Sequence, residues 1–346
     1  ICLTVRYSLT IYKFTFKLLI YIYIWNGTCR PSFSNYLRSF NSVVAFNYIF
    51  NIFKEIFSMN VSFSAAVGNF DGVHKGHKKL LEKVKNDADK SGLKTKVLTF
   101  NPYPFEFFKW HKKRIINEFD KKEVLKEIGI DEIVSIKFDE KFRNLKAEEF
   151  FELYIKKGKI KSLTVGNDFK FGKDRSGDTD LLRNLCKKND ITFSLFEDFK
   201  VDGLRVSSSI IREHLEKGKF VDAEKCLGRK LKFTGDVIHG KKFGTRISTP
   251  TANIDLQNKE YCFNGVFLCS VMVNDKKFFG IANFGTKPTF DDFRQSLEVH
   301  IFDFGENIYY QSLTIEFLCK IRDQIKFEST DDLKNQIHKD IDKAKS

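Results

Sequence analysis

Methionine and proline are scarce in this sequence, with 2 Met and 5 Pro among 346 residues, whereas Phe occurs 38 times. Together with abundant Lys, Ile and Asn, this imbalance is typical of codon bias and predicts no particular chemistry. Internal repeats and low-complexity tracts are also missing, which excludes repeat architectures. Apolar residues make up 42% and charged residues 30%, so the composition excludes a disordered chain and is that of a soluble globular protein.

Acidic residues are absent before Glu55, and the beginning of the chain differs from the rest. Its aromatic, apolar run is interrupted by Lys13 and Lys17, so it falls short of the roughly 20 apolar residues of a membrane span. A basic leader without acids is typical of a targeting segment. The alternative, which we favour, is an upstream or poorly ordered extension before Met59. We therefore expect residues 1–58 to lie outside the fold, without stable membrane association.

Cysteine pairs are missing as well. The 7 Cys are scattered, and neither a CxxC pair nor a Cys/His cluster at zinc spacing occurs. An odd number at irregular spacing favours buried free thiols over structural disulfides. This predicts a reducing compartment, the cytoplasm.

The net charge of +14 raises the possibility of a nucleic-acid partner. However, the lysines stand beside Glu and Asp along predicted helices, which is typical of solvated surfaces, and no nucleic-acid-binding motif occurs. We expect no nucleic-acid partner, although a positive field favours anionic substrates such as nucleotides. The oligomeric state is not predicted.

The length of the chain exceeds what one core usually serves, so two domains are expected. After the leader, strands and helices alternate, which predicts βαβ units and a mostly parallel sheet. The predicted strands are 61–68, 96–100, 132–137, 162–166 and 191–196, and the predicted helices are KKLLEKVKNDADKSG (78–92), with Gly92 as its stop, 121–129, 146–157 and 178–188.

Near residue 228 the pattern changes to six short strands separated by Gly, Asn and Asp turns, which predicts a small antiparallel β-barrel. A terminal helix follows, with Ser329 or Thr330 as its cap. The fold class is therefore α/β plus β. We assign residues 59–214 to the first domain, 215–228 to a connector and 229–346 to the second domain.

The segment GNFDGVHKGHKKLL (68–81) stands where the first predicted strand turns into the first helix. Ligands of open α/β sheets bind beyond the carboxyl ends of strands, and helix N-termini present N–H groups to phosphate. Glycines allow the backbone to approach a polyphosphate, and His74 and His77 are spaced to face one ligand. The three glycines of this turn are Gly68, Gly72 and Gly76.

This segment resembles the HxGH signature of the nucleotidyltransferase superfamily, in the form found in the adenylyltransferase module of bacterial riboflavin kinase/FAD synthetases. That module is Rossmann-like. LTFNPYP (98–104) resembles its TFxPHP motif, with Tyr103 where His is usual. VGNDFKFG (165–172) resembles its GxDFxFG loop and places Asp168 near the flavin. RVSSSIIREHLEKG (205–218) resembles its SSTxIR element, where we expect Ser208 or Ser209 to cap a helix.

The segment GDVIHGKKFGTRISTPTANIDL (235–256) is the second candidate site. The hydroxyl of Thr251 and the amide oxygen of Asn253 are hard donors that suit Mg²⁺ beside nucleotide phosphates. The tetrapeptide PTAN resembles the signature of riboflavin kinase, with Thr249 where Phe is usual before its Pro. Three glycines allow this segment to fold over phosphates, and they are Gly235, Gly240 and Gly244.

The strand SLEVHIF alternates so that Glu298 lies on the face opposite its aliphatic side chains. Among the acids of this region, Glu298 is therefore our choice of general base, and His300 is left as structural. Segments 281–290, 297–304 and 321–327 resemble the NxGxxPTF, LExHxxDF and IRxxxKF motifs of riboflavin kinase.

The resemblance covers roughly residues 62–342 and implies phosphorylation of riboflavin to FMN and adenylylation of FMN to FAD. ATP is the implied co-substrate and Mg²⁺, or another divalent cation, the metal. The alternatives are a riboflavin kinase with an impaired adenylyltransferase module and a non-enzymatic flavin-binding protein.

The resemblance also implies the site residues. The implied catalytic residues are Glu298, His74, His77 and Arg212. The implied ATP-binding residues are Gly68, Asn69, Phe70, Asp71, Gly76, Ser208, Ser209, Gly240, Gly244, Thr251 and Asn253, with Thr251 and Asn253 also as metal ligands. The implied flavin-binding residues are Asp168, Arg205, Asn283, Arg322 and Phe327.

Overall fold

The computed structural model describes residues 61–201, 203–240, 250–287 and 292–345. Predictions for the leader 1–58, for Gly244 and for Thr249 lie outside the described residues. Among the described helices, none is long and apolar enough to cross a membrane.

A five-stranded parallel sheet forms the first half of the chain, in the order β3-β2-β1-β4-β5. Its strands are short and apolar, and β1 is buried along its whole length. The order reverses direction beside β1, which is the place where ligands bind in open α/β sheets. The strands are β1 (Phe63–Val67), β2 (Lys94–Phe100), β3 (Glu132–Ile136), β4 (Ile160–Gly166) and β5 (Thr192–Phe196). The parallel α/β fold predicted for this half is confirmed.

Helices connect these strands, among them α1 (Lys75–Ser91), which buries an apolar stripe. In α1, Leu80, Leu81 and Val84 are buried, as their helical spacing predicts. Its end is capped by Gly92 in the left-handed conformation. The helices of this half are α1 (Lys75–Ser91), α2 (Pro104–Phe107), α3 (Glu118–Glu127), α4 (Glu140–Arg143), α5 (Ala147–Phe150), continued by a π-helix (Phe151–Lys156), α6 (Thr179–Lys188) and α7 (Ser208–Glu216).

Between α6 and the barrel, a hairpin of β6 (Lys200–Val201) and β7 (Leu204–Arg205) precedes α7. The predicted connector 215–228 contains the end of α7 and the whole of α8 (Phe220–Leu227). The cap of α7 differs from the prediction. Ser207, rather than Ser208 or Ser209, accepts the N–H of Ile210. The side chain of Ser208 is free to bond elsewhere for that reason.

The second half is a closed six-stranded antiparallel barrel in the order β10-β11-β12-β9-β8-β13. All six predicted strands occur, and the predicted barrel is confirmed. They are β8 (Lys232–Ile238), β9 (Ala252–Ile254), β10 (Gly265–Val273), β11 (Lys276–Lys287), β12 (Asp292–Ile301) and β13 (Ser312–Arg322). The terminal helix α9 (Thr330–Lys345) follows, and Ser329 accepts the N–H of Asp332 at its start.

The sheet and the barrel belong to one compact unit, Ser62–Ser346. A single cluster of buried side chains contains Leu81 and Val97 from the sheet half and Phe267 and Val299 from the barrel. The two halves therefore share a hydrophobic core.

A short stretch before α3 ties the two halves together by hydrogen bonds. The N–H of Arg114 donates to the carbonyl of Glu260, and the N–H of Cys262 donates to the carbonyl of Arg114, each at 2.9 Å. Farther along, the Asn117 amide donates to the carbonyl of Thr234 at 2.8 Å.

The cysteines that the structure describes form no disulfide: Cys186, Cys262 and Cys269 are buried, Cys226 is half-buried and Cys319 is exposed. Burial raises the pKa of Cys186 and Cys269 to about 12. These thiols therefore stay protonated at neutral pH, and they act as small apolar side chains.

Candidate active sites

A cavity of about 950 Å³ opens beyond the carboxyl ends of β1 and β4. The implied catalytic, ATP-binding and flavin-binding residues of the first site all line this cavity, whereas Gly72, the second glycine of the turn, does not. They are Gly68, Asn69, Phe70, Asp71, His74, Gly76, His77, Asp168, Arg205, Ser208, Ser209 and Arg212. The structure thus brings together segments that are up to about 140 residues apart in the chain.

The two predicted histidines form a stacked pair at the start of α1. Their ring centroids are 3.6 Å apart, and His74 Nδ1 accepts the backbone N–H of His77 at 3.3 Å as the helix cap. Because Nδ1 is an acceptor, the neutral His74 ring carries its proton on Nε2. The Nδ1 atom of His77 is buried and has no hydrogen-bond partner among the described residues. The His77 Nδ1 atom is therefore not committed to another protein group in this part of the structure.

Burial keeps both imidazoles neutral. It is the largest cause that lowers the pKa of His74 to about 4, and Arg229, Arg205 and Arg212 lower it further. Burial also lowers the pKa of His77 well below its usual value, with a further contribution from His74. At neutral pH the pair offers N–H donors without adding positive charge.

We expect the folded state to lose stability as the pH falls from about 6.5 to about 4 because of this pair. His74 titrates near 6.5 when unfolded and at about 4 when folded, so in this interval the unfolded state binds more protons. One such group changes the free energy of unfolding by up to about 1.4 kcal/mol per pH unit. Urea unfolding at a series of pH values measures the slope. A variant with His74→Ser and His77→Ala should have a smaller slope, and an equal slope would contradict the assignment.

Gly76 lies directly against the His74 ring. A Cβ atom at this position would be 3.1 Å from His74 Nδ1 and 3.4 Å from the carbonyl oxygen of Val206. A larger residue would thus displace the ring that caps the helix. The close approach explains why glycine stands between the two histidines.

Arg212 and Asp71 form a buried ion pair at the floor of the cavity. The Arg212 Nε donates to the carbonyl of Lys113 at 2.8 Å, and the N–H of Ile115 donates to Asp71 at 3.1 Å. Nη1 of Arg212 makes no hydrogen bond within the described part of the chain. The ion pair therefore holds the guanidinium in place and leaves one nitrogen for a ligand.

Ser208 Oγ donates to the carbonyl of Asp71 at 2.9 Å, which fixes α7 against the turn before α1. At the rim of the cavity, Arg205 lies 3.0 Å from Asp198 and 3.6 Å from Asp168. Asp168 and Arg205, predicted to border the flavin, are thus neighbours.

Tyr103, which stands where His is usual, is fully buried and does not line the cavity. The Arg114 guanidinium and the Lys121 ammonium each lie 4.6 Å from its ring centroid. Such cation–π contacts contribute about 0.5–2 kcal/mol each. In this chain the ring stabilises buried cations behind the site.

An aromatic wall of the cavity was not predicted from the sequence. Phe108 and Trp110 stack with centroids 5.5 Å apart, and the Arg143 guanidinium lies 5.4 Å from the Phe108 ring. Phe138 and Phe142 also line this wall. The aromatic-rich stretch after Tyr103 was the available signal, but the contacts with Arg143 and Phe138 depend on the tertiary fold.

The second site lies on the barrel, where β9 pairs with both β8 and β12. Glu298 on β12 is opposite Asn253 on β9 and, on its other side, opposite Asn283 on β11. Leu297 and Val299 are completely buried, and Glu298 is half-buried on the other face. The predicted alternation is confirmed, and three of the predicted site residues stand in one row across the sheet.

The PTAN segment is fixed by neighbours on both sides. His300 Nδ1 lies 2.8 Å from the carbonyl oxygen of Pro250, and since a carbonyl only accepts, the ring donates from Nδ1. A Cβ atom on Gly240 would overlap the side-chain amide of Asn253. Thr251 and Asn253 are half-buried. Thr251 contributes a hydroxyl oxygen and Asn253 an amide oxygen, hard donors of the kind that suit Mg²⁺, and Glu298 is opposite Asn253.

Among the described residues, no group of three or more His, Cys, Asp or Glu side chains converges on a metal position.

Arg322 bonds to the terminal helix. Its Nη2 lies 2.7 Å from Asp340 Oδ2, and its guanidinium carbon lies 5.8 Å from the Phe327 ring centroid. Beside it, Gln324 donates to Asn283 Oδ1 at 3.1 Å. Of the three residues predicted to border the flavin of the kinase, Arg322 and Phe327 thus lie beside each other near α9, and Asn283 contacts Gln324, two positions along the chain from Arg322.

Comparisons with known proteins cover both halves. The FAD synthetase family model matches residues 58–210, and the riboflavin kinase family model matches residues 227–346. The bifunctional riboflavin kinase/FMN adenylyltransferase of Haemophilus influenzae is 39% identical over 81% of this chain and 92% of its own length. The protein of the same name from Escherichia coli is 36% identical over 79% of this chain and 89% of its own length.

A solved structure has a similar fold over most of this chain. The crystal structure of a protein described as a macrolide-efflux protein from Streptococcus pneumoniae aligns with a TM-score of 0.67 and 32% identity. The alignment covers 82% of this chain and 94% of that one. Matches to two family models in the expected order, and relatives that are similar over nearly their whole length, show that the chain belongs to the bifunctional riboflavin kinase/FMN adenylyltransferase family.

Proposed function

We propose that the cavity beyond β1 and β4 is the site of FMN adenylylation and that the row of polar residues on the barrel is the site of riboflavin phosphorylation. The chain is an ATP-dependent enzyme of flavin cofactor biosynthesis, as both family matches support. The observation that supports two separate sites is that the twelve residues assigned to adenylylation line one cavity. Glu298, Asn253 and Asn283 are aligned on a different sheet.

In the cavity, a phosphate oxygen of FMN attacks the α-phosphorus of ATP. A new P–O bond forms, the bond to the bridging oxygen of pyrophosphate breaks, and pyrophosphate leaves. Negative charge grows on the oxygens of the α-phosphate during this step. Neutral His74 and His77 donate to these oxygens, and fixed donors stabilise the transition state more than the ground state.

On the barrel, the Glu298 carboxylate accepts the proton of the terminal ribityl hydroxyl of riboflavin. The hydroxyl oxygen bonds to the γ-phosphorus of ATP as the bond to the β-phosphate oxygen breaks, which yields FMN and ADP. Thr251 and Asn253 are the residues that would hold Mg²⁺. When bound, the ion neutralises phosphate charge. Direct transfer of this kind needs positioning more than covalent chemistry.

We also propose a cytoplasmic location, which the free thiols support, and substrates limited to riboflavin, FMN and ATP. The test is to incubate the purified protein with riboflavin, ATP and Mg²⁺ and to separate riboflavin, FMN and FAD by chromatography. Accumulation of both FMN and FAD is expected. Formation of FMN alone would favour a kinase with an impaired adenylyltransferase module, and formation of neither would favour a flavin-binding protein.

We expect a protein that begins at Met59 to retain both activities. All assigned site residues come after this position, and the leader differs in composition from the rest. The rates of FMN and FAD formation by the two proteins, measured side by side, should agree. A shortened protein that folds but makes neither product would overturn the prediction.

A further inference from the structure

Arg229 follows α8 and lies within the stretch that matches the riboflavin kinase family model. Its side chain nevertheless reaches the turn in front of α1. Nη1 donates to the carbonyl of Val73 at 3.0 Å, and Nη2 donates to the carbonyl of Gly72 at 2.7 Å. We propose that Arg229 is a positioning residue for FMN adenylylation, supplied by the kinase half. The inference depends on the proposed function of the cavity.

The turn that Arg229 holds has an unfavourable backbone conformation. Phe70 and Val73 have φ angles of 50° and 38°, in the left-handed region that β-branched and bulky residues seldom adopt. A conformation of this kind persists only where the surroundings enforce it. Since His74 directly follows Val73, relaxation of the turn would displace the imidazole that is assigned to the α-phosphate.

The surroundings enforce the turn through its carbonyl groups, because each of the five carbonyls from Asn69 to Val73 accepts a hydrogen bond. In chain order the donors are Thr99 Oγ1 at 3.0 Å, the Val73 N–H at 3.1 Å, Ser208 Oγ at 2.9 Å and Arg229 twice. The two carbonyls nearest His74 thus depend on one side chain. No other residue among these donors comes from the kinase half.

The charge of Arg229 strengthens this contact. Burial lowers its pKa to about 10, so the guanidinium is still cationic at neutral pH. Within the described part of the chain it forms no ion pair. Its hydrogen bonds to the two carbonyls are therefore charge-assisted without competition from a bound carboxylate.

The test compares Arg229→Gln, Arg229→Lys and the neighbouring control Lys230→Gln in the full chain. Lys230 is exposed and pairs with Glu224 at 2.8 Å, away from the turn.

For Arg229→Gln we expect kcat for FAD formation from FMN to fall about 10- to 100-fold, because a small misplacement of reacting groups lowers the rate by about this factor. The KM values for FMN and ATP should change less than about threefold, because a misplaced imidazole affects the transition state more than binding. A lysine ammonium group would donate to fewer of these carbonyls than the guanidinium does. The kcat of Arg229→Lys for FAD formation should therefore lie between the values of Arg229→Gln and the control.

Riboflavin phosphorylation is measured on the same samples. The rate of riboflavin phosphorylation should be unchanged in all three variants. A merely structural role of Arg229 would instead lower both activities together. Near wild-type kcat for FAD formation in Arg229→Gln, or equal loss of both activities, would overturn the inference. If Arg229→Gln fails to fold, Arg229→Lys decides, and an unchanged kcat there overturns it. Failure of the wild-type protein to make FAD would instead refute the proposed function.

Discussion

Replacement of both His74 and His77 by Ala is expected to abolish conversion of FMN to FAD while riboflavin phosphorylation continues. The two stacked rings are neutral donors at the start of α1, inside the cavity. Removal of one such donor typically costs about 10²- to 10³-fold in kcat, so the double variant should lose about 10⁴-fold or more. The measurement is the amount of FMN and FAD formed from riboflavin and ATP. The products should stop at FMN, with one ATP consumed per riboflavin.

The helix cap requires a separate control. His74 also accepts the N–H of His77, and loss of an N-cap alone costs about 1 kcal/mol of stability. His74→Ser keeps a capping oxygen but removes the distant Nε2 donor. It should therefore remain as stable as wild type and still lose FAD formation. His111→Ala, an exposed histidine of the same half, should change neither activity. Near wild-type FAD formation by the double variant would show that the cavity is not the adenylylation site.

Glu298→Gln is expected to abolish FMN formation while FAD formation from supplied FMN survives. The amide keeps the size of the side chain but does not accept the ribityl proton at neutral pH. Loss of a general base typically costs about 10²- to 10⁴-fold. The reaction is followed with riboflavin as substrate for the kinase and with FMN as substrate for the adenylyltransferase.

Glu316→Gln on β13 serves as the matched control, because this glutamate is on the same barrel and pairs with Lys232 at 3.5 Å. Its effect on both reactions should be small, as surface ion pairs contribute about 0–1 kcal/mol. Loss of both activities in folded Glu298→Gln would contradict the division between the two sites. Retention of the kinase activity would mean that another group accepts the proton.

Sequence reasoning predicted the architecture because each half has a clear local pattern. Alternation of apolar strands with helices of ordinary length predicted the parallel sheet, and the alternating burial of Leu297 and Val299 with Glu298 follows from the pleat of a strand. The residues of the cavity were predicted because they belong to contiguous motifs. In these cases local sequence and tertiary structure agree.

The errors and omissions arise where several local solutions are equivalent or where the contact is distant in the chain. Three consecutive serines are each suitable as a helix cap, so the pattern did not single out Ser207. The contact of Arg229 with Val73 joins residues 156 positions apart. Tyr103 stands where the motif usually has histidine, and only the fold places its ring 4.6 Å from each of two buried cations. Such features require the tertiary structure.

The hydrophobic cluster that runs from Leu81 to Val299 also affects how inactivating mutations are to be interpreted. A cell that carries a cavity-forming substitution in this cluster should lose FMN and FAD production in the same proportion, because unfolding of either half exposes the apolar surface of the other. A substitution at one polar site should change the ratio of the two products instead. The FMN to FAD ratio in a cell extract therefore distinguishes a defect of chemistry from a defect of folding.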